Sequence, residues 1–156
     1  MSEIIPAKTI DQYHLGWSLA QIMSSLKNKE LVQYREEEDT IFISYKYFKF
    51  WVSKEKDKVI QIGAYKGFKG NYNGIGIGST LADIQQKFGS WGEDLYVYVI
   101  PKIDGLCFEL ADNDIDEEWI QESAPIEAIY VNDPDEFYKE GDPVFDAATG
   151  QYINKQ

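Results

Sequence analysis

At 156 residues, 44% hydrophobic and 15% aromatic, the chain holds enough apolar material for one domain with a sizeable core, and too little length for two large ones. This composition excludes general disorder, and apolar runs of a few residues fall far short of the roughly 20 that cross a bilayer as a helix. Fifteen Lys and Arg against 27 Asp and Glu give a net charge of −12, which repels nucleic acid and anionic membrane and attracts basic proteins and cations.

Met1 to Ile10 is mixed polar, with no basic segment leading into an apolar one, so no signal peptide is expected. An eleven-residue pattern then occurs twice, as G-W-S-L-A-Q-I-x-x-x-L from Gly16 to Leu26 and G-S-T-L-A-D-I-x-x-x-F from Gly78 to Phe88. Such a repeat suggests two copies of one supersecondary unit. In each copy a capping box opens a helix, Ser18 with Gln21 and Thr80 with Asp83. Leu19, Ile22, Met23 and Leu26 then share one helical face, as do Leu81, Ile84 and Phe88. Gly89 fits the stop of the second helix.

Between helix and strand, Arg35–Glu36–Glu37–Glu38–Asp39 reads as a charged loop. Ile41, Ile43, Tyr45 and Tyr47 alternate with Phe42, Ser44 and Lys46, and then the phase shifts so that Phe48, Phe50 and Val52 carry the pattern. The shift predicts a bulge or a tight turn near Lys46–Phe48. Lys54–Asp57 is a polar turn and Val59–Tyr65 the next strand. Lys66 to Gly76 is a turn-rich joint whose Phe68, Tyr72 and Ile75, with Ile77 just beyond, are placed to pack. The second copy continues with a strand over Leu95–Ile100, a turn at Pro101–Gly105, a strand over Leu106–Leu110, a polar loop from Asp112 to Glu122 and a strand over Ile126–Val131. Asp133 to Gly141 is acidic and turn-forming, and Pro143 to Ile153 suits a small hairpin around Thr149–Gly150. The expected fold is a single α+β domain of two tandem helix-plus-antiparallel-strand repeats, about residues 10–66 and 74–132, with the helices packed on the sheet and an acidic segment over 133–156.

Chemistry finds little footing. The single His14 and single Cys107 supply neither a nucleophile–base pair nor a zinc ligand set, and one cysteine forms no intrachain disulfide. Cys107 alternates with Leu106 and Phe108 and reads as a small structural thiol. Asp112, Asp114 and Asp116 open like a calcium loop, but the sixth position is Glu117 instead of Gly and the twelfth is Ser123 instead of Glu. Gly74, Gly76 and Gly78 precede a helix without the spacing or lysine of a phosphate loop. No metal or cofactor is expected, and no enzymatic activity.

The order helix, strand, turn, strand, loop, strand, with G-x-[ST]-L-A-x-I, resembles the tandem-repeat plan of beta-lactamase inhibitor proteins over about 115 residues. The phrases I-P-K-I-D-G-L-C-F-E-L (Ile100–Leu110) and P-I-E-A-I-Y-V (Pro125–Val131) resemble small acidic immunity proteins, which are encoded beside bacterial polymorphic or contact-dependent toxins. That resemblance implies a cytoplasmic protein that binds a cognate toxin and blocks its active site or an exosite. Net charge points to a basic toxin, a nuclease mimicked by acidic residues, with no nucleic-acid or membrane partner. A regulatory binding module and a small hydrolase using two carboxylates are the alternatives. The expected partner contacts are Asp112, Asp114, Asp116, Glu117 and Glu118, with Trp119 as an aromatic anchor among them, together with Asp133, Asp135 and Glu136.

Overall fold

A computed structural model of the chain describes residues 3–94, 97–111, 121–137, 143–146 and 151–154. Three short strands, β1 (Ile4–Ile5), β2 (Thr9–Ile10) and β3 (Tyr13–His14), form an antiparallel meander that buries Ile4, Ile10 and Tyr13. Helix α1 (Leu19–Ser25) follows, then a 3₁₀ turn at Lys29–Leu31 and four strands, β4 (Val32–Glu36), β5 (Thr40–Tyr45), β6 (Phe48–Ser53) and β7 (Lys58–Tyr65). A small hairpin of β8 (Asn71–Tyr72) and β9 (Ile75–Gly76) leads to helix α2 (Leu81–Phe88). Strands β10 (Gly92–Asp94), β11 (Val97–Val99) and β12 (Leu106–Leu110) come next. A 3₁₀ turn at Gln121–Ser123 precedes β13 (Ile126–Asn132), helix α3 (Pro134–Phe137), β14 (Pro143–Asp146) and β15 (Gln151–Asn154).

Ten of these strands make one antiparallel sheet in the order β15-β14-β10-β11-β12-β13-β7-β6-β5-β4. Its centre is the long-range pair β7–β13, with Tyr65 opposite Ala128 and Gln61 opposite Asn132. This corrects the expected architecture of two helix-plus-strand repeats with helices laid on a sheet. Among the described residues the chain is mostly β, and the helices run only seven, eight and four residues. Helices of about two turns cover little of a ten-stranded sheet; the meander and the β8–β9 joint contribute Ile4, Ile10, Tyr13, Phe68 and Ile75 to the same core. Arg35 and Glu36 close β4 instead of lying in a loop, and Gly92–Asp94 is a strand that has no apolar alternation to announce it.

The eleven-residue pattern encodes a local device that is used twice. Both capping boxes form, Ser18 with Gln21 and Thr80 with Asp83. Gly16 and Gly78 take φ of +88° and +94°, a region costly for other residues. Each lets the chain hook onto the first residues of a central strand. Gly16 N–H donates to Val59 O at 2.8 Å while Val59 N–H donates to Trp17 O at 2.7 Å. Gly78 N–H donates to Ile126 O at 2.9 Å and Ile126 N–H to Ser79 O at 2.7 Å. Ile22, Leu26, Leu81 and Ile84 are thereby carried fully into the core.

Hydrophobic alternation sets the two faces of the sheet. Ile41, Ile43, Tyr45, Phe48, Phe50, Val52, Ile62, Ala64, Leu106, Phe108, Ile129 and Val131 point to the core side, against the helices and the meander. The phase shift is a two-residue turn, in which Lys46 adopts φ +54° and Tyr45 pairs with Phe48. Lys54–Asp57 forms the next turn, and β14 pairs antiparallel with β15, while the expected turn at Thr149–Gly150 lies outside the described residues.

Candidate functional site

The opposite face carries a second, smaller cluster of Val99, Cys107, Ala128 and Tyr130, with Trp51, Tyr65 and Val97 against it. Among the described residues, the helices and the meander give their buried side chains to the core side, and Val99, Cys107, Ala128 and Tyr130 on this second face are themselves buried. Register arranges it in rows. One runs Arg35, Phe42, Trp51, Gln61, Asn132, and the next Gln33, Ser44, Lys49, Gly63, Tyr130, Cys107. A third joins Tyr65, Ala128 and Glu109.

Tyr130 is the centre of this face. It stands opposite Gly63, and a Cβ on Gly63 would lie 2.8 Å from Tyr130 Cε1 and 3.0 Å from the Tyr65 hydroxyl. Only glycine gives the ring room to lie across the strand. Tyr65 packs edge-on to Tyr130 at 5.9 Å and 86°, and Trp51 does so from the other side at 5.8 Å and 74°. The Tyr65 hydroxyl donates to the Tyr130 oxygen at 3.2 Å, and the Tyr130 hydroxyl donates to Glu109 Oε1. Burial, then the hydrogen bond to Glu109, pushes the Tyr130 phenol far above the ordinary tyrosine range; burial also raises Tyr65. Tyr130 is therefore a fixed donor and Glu109 an acceptor held in one orientation.

Cations occupy the other end of the face. The Arg35 guanidinium lies 4.2 Å from the Phe42 ring centre, and Lys49 Nζ lies 5.2 Å from Phe42 and 4.9 Å from Trp51. This follows a division of charge along the chain. Residues 1–70 hold eleven Lys and Arg against nine Asp and Glu, and residues 71–156 hold four against eighteen, net +2 and −14. The sheet is thus basic and aromatic across β4–β6 and acidic toward the strands of the second half.

The expected contact residues fall into two groups. Asp112, Asp114, Asp116, Glu117, Glu118 and Trp119 fall outside the described residues, as does the calcium-like spacing. Asp133, Asp135 and Glu136 sit at the end of β13 and in α3. Asp133 accepts Lys58 Nζ at 3.0 Å and Glu136 accepts Lys56, with Lys58 at 3.8 Å. Asp133 Oδ1 also accepts the Asp135 N–H at 3.0 Å, and Asp135 is exposed. Two of these three carboxylates are therefore already matched by lysines of the β6–β7 turn and β7.

Cys107 is buried, with Asn132 Nδ2 3.7 Å from its sulfur, and it faces away from Leu106 and Phe108 as alternation requires. Gly74 serves the β8–β9 turn, while Gly76 N–H donates to Ser79 Oγ at 3.0 Å. A shallow, open hollow beside α2 is lined by Ala82, Gln85, Gln86, Trp91 and Glu122, which brings together one carboxylate and no second titratable group. Among the described residues, no three His, Cys, Asp or Glu side chains are grouped to hold a metal, and no helix is long and apolar enough to cross a membrane.

Residue-by-residue sequence reading missed the aromatic face, although a signal exists. Phe42, Trp51 and Tyr130 each stand between two core residues of their strand, the positions that alternation assigns to solvent. Large aromatics at such positions on neighbouring strands mark a face that contacts something other than water. No protein-family model matches the chain, and neither a curated protein nor a solved structure does.

Proposed function

We propose that this chain is a non-catalytic inhibitor of the immunity type, acting in the cytoplasm by binding a basic toxin domain, of the nuclease class, and blocking its active site or an exosite. The observation that carries this reading is the joining of a net −14 half-chain to a sheet face on which the half-buried Trp51 and Tyr65 flank Tyr130. Clustered carboxylates steer a basic partner and raise its encounter rate, while rigid Trp and Tyr rings supply short-range contact area. The acidic segment Asp112–Glu118 with Trp119, and the exposed Asp135, belong to the steering surface in this proposal. Asp133 and Glu136 contribute less, because Lys56 and Lys58 already neutralise them.

The test is co-expression with the toxin domain encoded by the adjacent gene, together with binding kinetics of the purified pair at two salt concentrations. The expected result is rescue of growth, a one-to-one complex, and an association rate that falls as salt rises. Absence of a complex and of rescue, with the chain folded, refutes the reading.

A further inference from the structure

We infer that the β4 edge of the sheet is a self-pairing surface, to which a second copy of this chain adds its own β4 antiparallel, across a twofold axis at Tyr34. The edge is exposed and regular. Gln33, Tyr34, Arg35 and Glu36 are all exposed, and Tyr34, at 51%, is the most exposed large hydrophobic side chain among the described residues. Leu31, just before the strand, follows at 45%. β4 pairs with β5 residue for residue, from Val32 opposite Tyr45 to Glu36 opposite Ile41, without a proline or a bulge. An edge of this kind is a template for another strand.

The ladder shows which backbone groups remain. Glu37 N–H donates to Thr40 O at 2.8 Å, and Tyr45 with Phe48 closes a two-residue hairpin on the far side of β5. Both facts put the hydrogen-bonded pairs of β4 with β5 at Gln33, Arg35 and Glu37. The N–H and C=O of Tyr34 and Glu36, and the C=O of Val32, therefore aim away from the sheet. The Val32 N–H donates to Lys29 O. Beyond the β4–β5 ladder, no backbone hydrogen bond reaches Tyr34 or Glu36 among the described residues. A copy turned about Tyr34 fits this set. The two Tyr34 residues exchange N–H···O=C bonds, and each Glu36 N–H meets the Val32 C=O of the other copy. Gln33 then falls opposite the partner's Arg35, on the same face.

The charges on this edge are matched within each copy, since Arg35 pairs with Glu37 and Glu36 accepts Lys54 Nζ at 2.7 Å. At longer range, the division of charge selects the same edge. In the sheet, the strand of the −14 half nearest to β4 is β13, four spacings away, on the order of 19 Å. Two copies joined at β4 hold their β13 strands about 40 Å apart, several times the Debye length of about 8 Å at physiological salt. The opposite edge, β15, belongs to the acidic half, where two copies of a −12 chain repel. Twofold pairing also consumes both β4 edges, so the assembly closes.

The experiment is sedimentation velocity of the full chain over a hundredfold range of concentration, with amide hydrogen exchange by NMR at both ends of that range. The expected result is a monomer–dimer equilibrium in which the Tyr34 and Glu36 amides are protected only in the dimer, while those of Gln33 and Arg35 are protected throughout. Tyr34→Pro removes an N–H that β5 does not use, so the internal ladder keeps its bonds, and it should weaken dimerisation at least tenfold. Tyr34→Lys sets two like charges directly opposite one another across the axis and should do the same with no demand on the backbone. Circular dichroism separates lost pairing from lost folding, and if Tyr34→Pro does not fold, Tyr34→Lys decides. A monomer at every concentration, a dimer that folded variants leave intact, or Tyr34 and Glu36 amides that stay unprotected in the dimer overturns the pairing. Growth beyond a dimer would join β4 to a different edge of the next copy and overturn the twofold arrangement.

Discussion

Gly63→Ala measures how much the aromatic corner depends on a missing methyl group. The new Cβ would lie 2.8 Å from Tyr130 Cε1, closer than carbon tolerates, and 3.0 Å from the Tyr65 hydroxyl, a tight contact. Gly63 does not have a positive φ, so the backbone itself accepts alanine and the cost is steric. Displacing the ring costs about 1–3 kcal/mol of overpacking and weakens the Tyr65–Tyr130 and Tyr130–Glu109 hydrogen bonds, each worth about 1 kcal/mol. The smaller entropy loss of alanine returns about 0.4–1 kcal/mol. The net is a destabilisation of about 2 kcal/mol, a fall of about 1 M in the urea midpoint at an m-value of about 2 kcal/mol/M. Urea unfolding followed by tryptophan fluorescence reads it directly. In a Tyr130→Ala background the main clash is gone and the same substitution should cost about 1 kcal/mol or less. A neutral or stabilising Gly63→Ala, or an equal cost in both backgrounds, would show that Tyr130 is not seated on this glycine.

Thr80→Ala removes the hydroxyl that accepts the Asp83 N–H at 3.2 Å and should lower stability by about 1 kcal/mol, with Ser18→Ala behaving alike at α1; thermal melts check both. Gly105→Ala should be far worse, at about 3 kcal/mol or more, or should prevent folding. Gly105 holds φ +79°, its Cβ would fall 2.5 Å from that of Ala7, and its carbonyl accepts the N–H groups of both Ala7 and Asn132. Circular dichroism of the expressed variant is the measure. Alkaline pH should also unfold the chain. A tyrosine whose folded pKa is raised contributes stability fully below its unfolded value near 10, and that contribution is lost as pH climbs above it, because only the unfolded state releases the proton. Stability between pH 9 and 11 should fall less steeply in Tyr130→Phe than in wild type, a comparison made by urea titration at each pH.

Period-two alternation carried most of the strand positions. Thr40–Tyr45 and Phe48–Ser53 alternate strictly because one side of each is core, and the phase break between them has the single physical meaning of a turn. The capping boxes were legible for the same reason, since their hydrogen bonds span only three residues. The architecture was not legible. Two helices opening two similar segments suggested a helical layer, yet whether a helix covers a sheet depends on its length, and α1 and α2 stop after about two turns. Leu26 takes an extended conformation as the cap of α1, and Gly89 turns left-handed at φ +84° after α2. The two-residue strands of the N-terminal meander lie below the length at which alternation is a signal, and Ile4 and Ile10 are buried through tertiary contacts that no local window reports.

Charge told less about the site than register did. Counting carboxylates singled out Asp133 and Glu136, but Lys56 and Lys58 are 75 to 80 positions earlier in the chain and meet them only because β7 pairs with β13. The same pairing sets Gly63 beneath Tyr130 and brings Tyr65 level with Ala128 and Glu109. A slip of β13 by one residue in that register would turn Tyr130 inward and expose Ile129 and Val131. Core burial on one face therefore fixes the aromatic arrangement on the other. The pairing of Ile62 with Val131 in the core thereby sets where Tyr130 stands on the second face, where the first core places no demand on side-chain chemistry. In this chain that freedom is used for three rings, one glycine and one carboxylate within reach of each other, at the boundary between a +2 half-chain and a −14 half-chain.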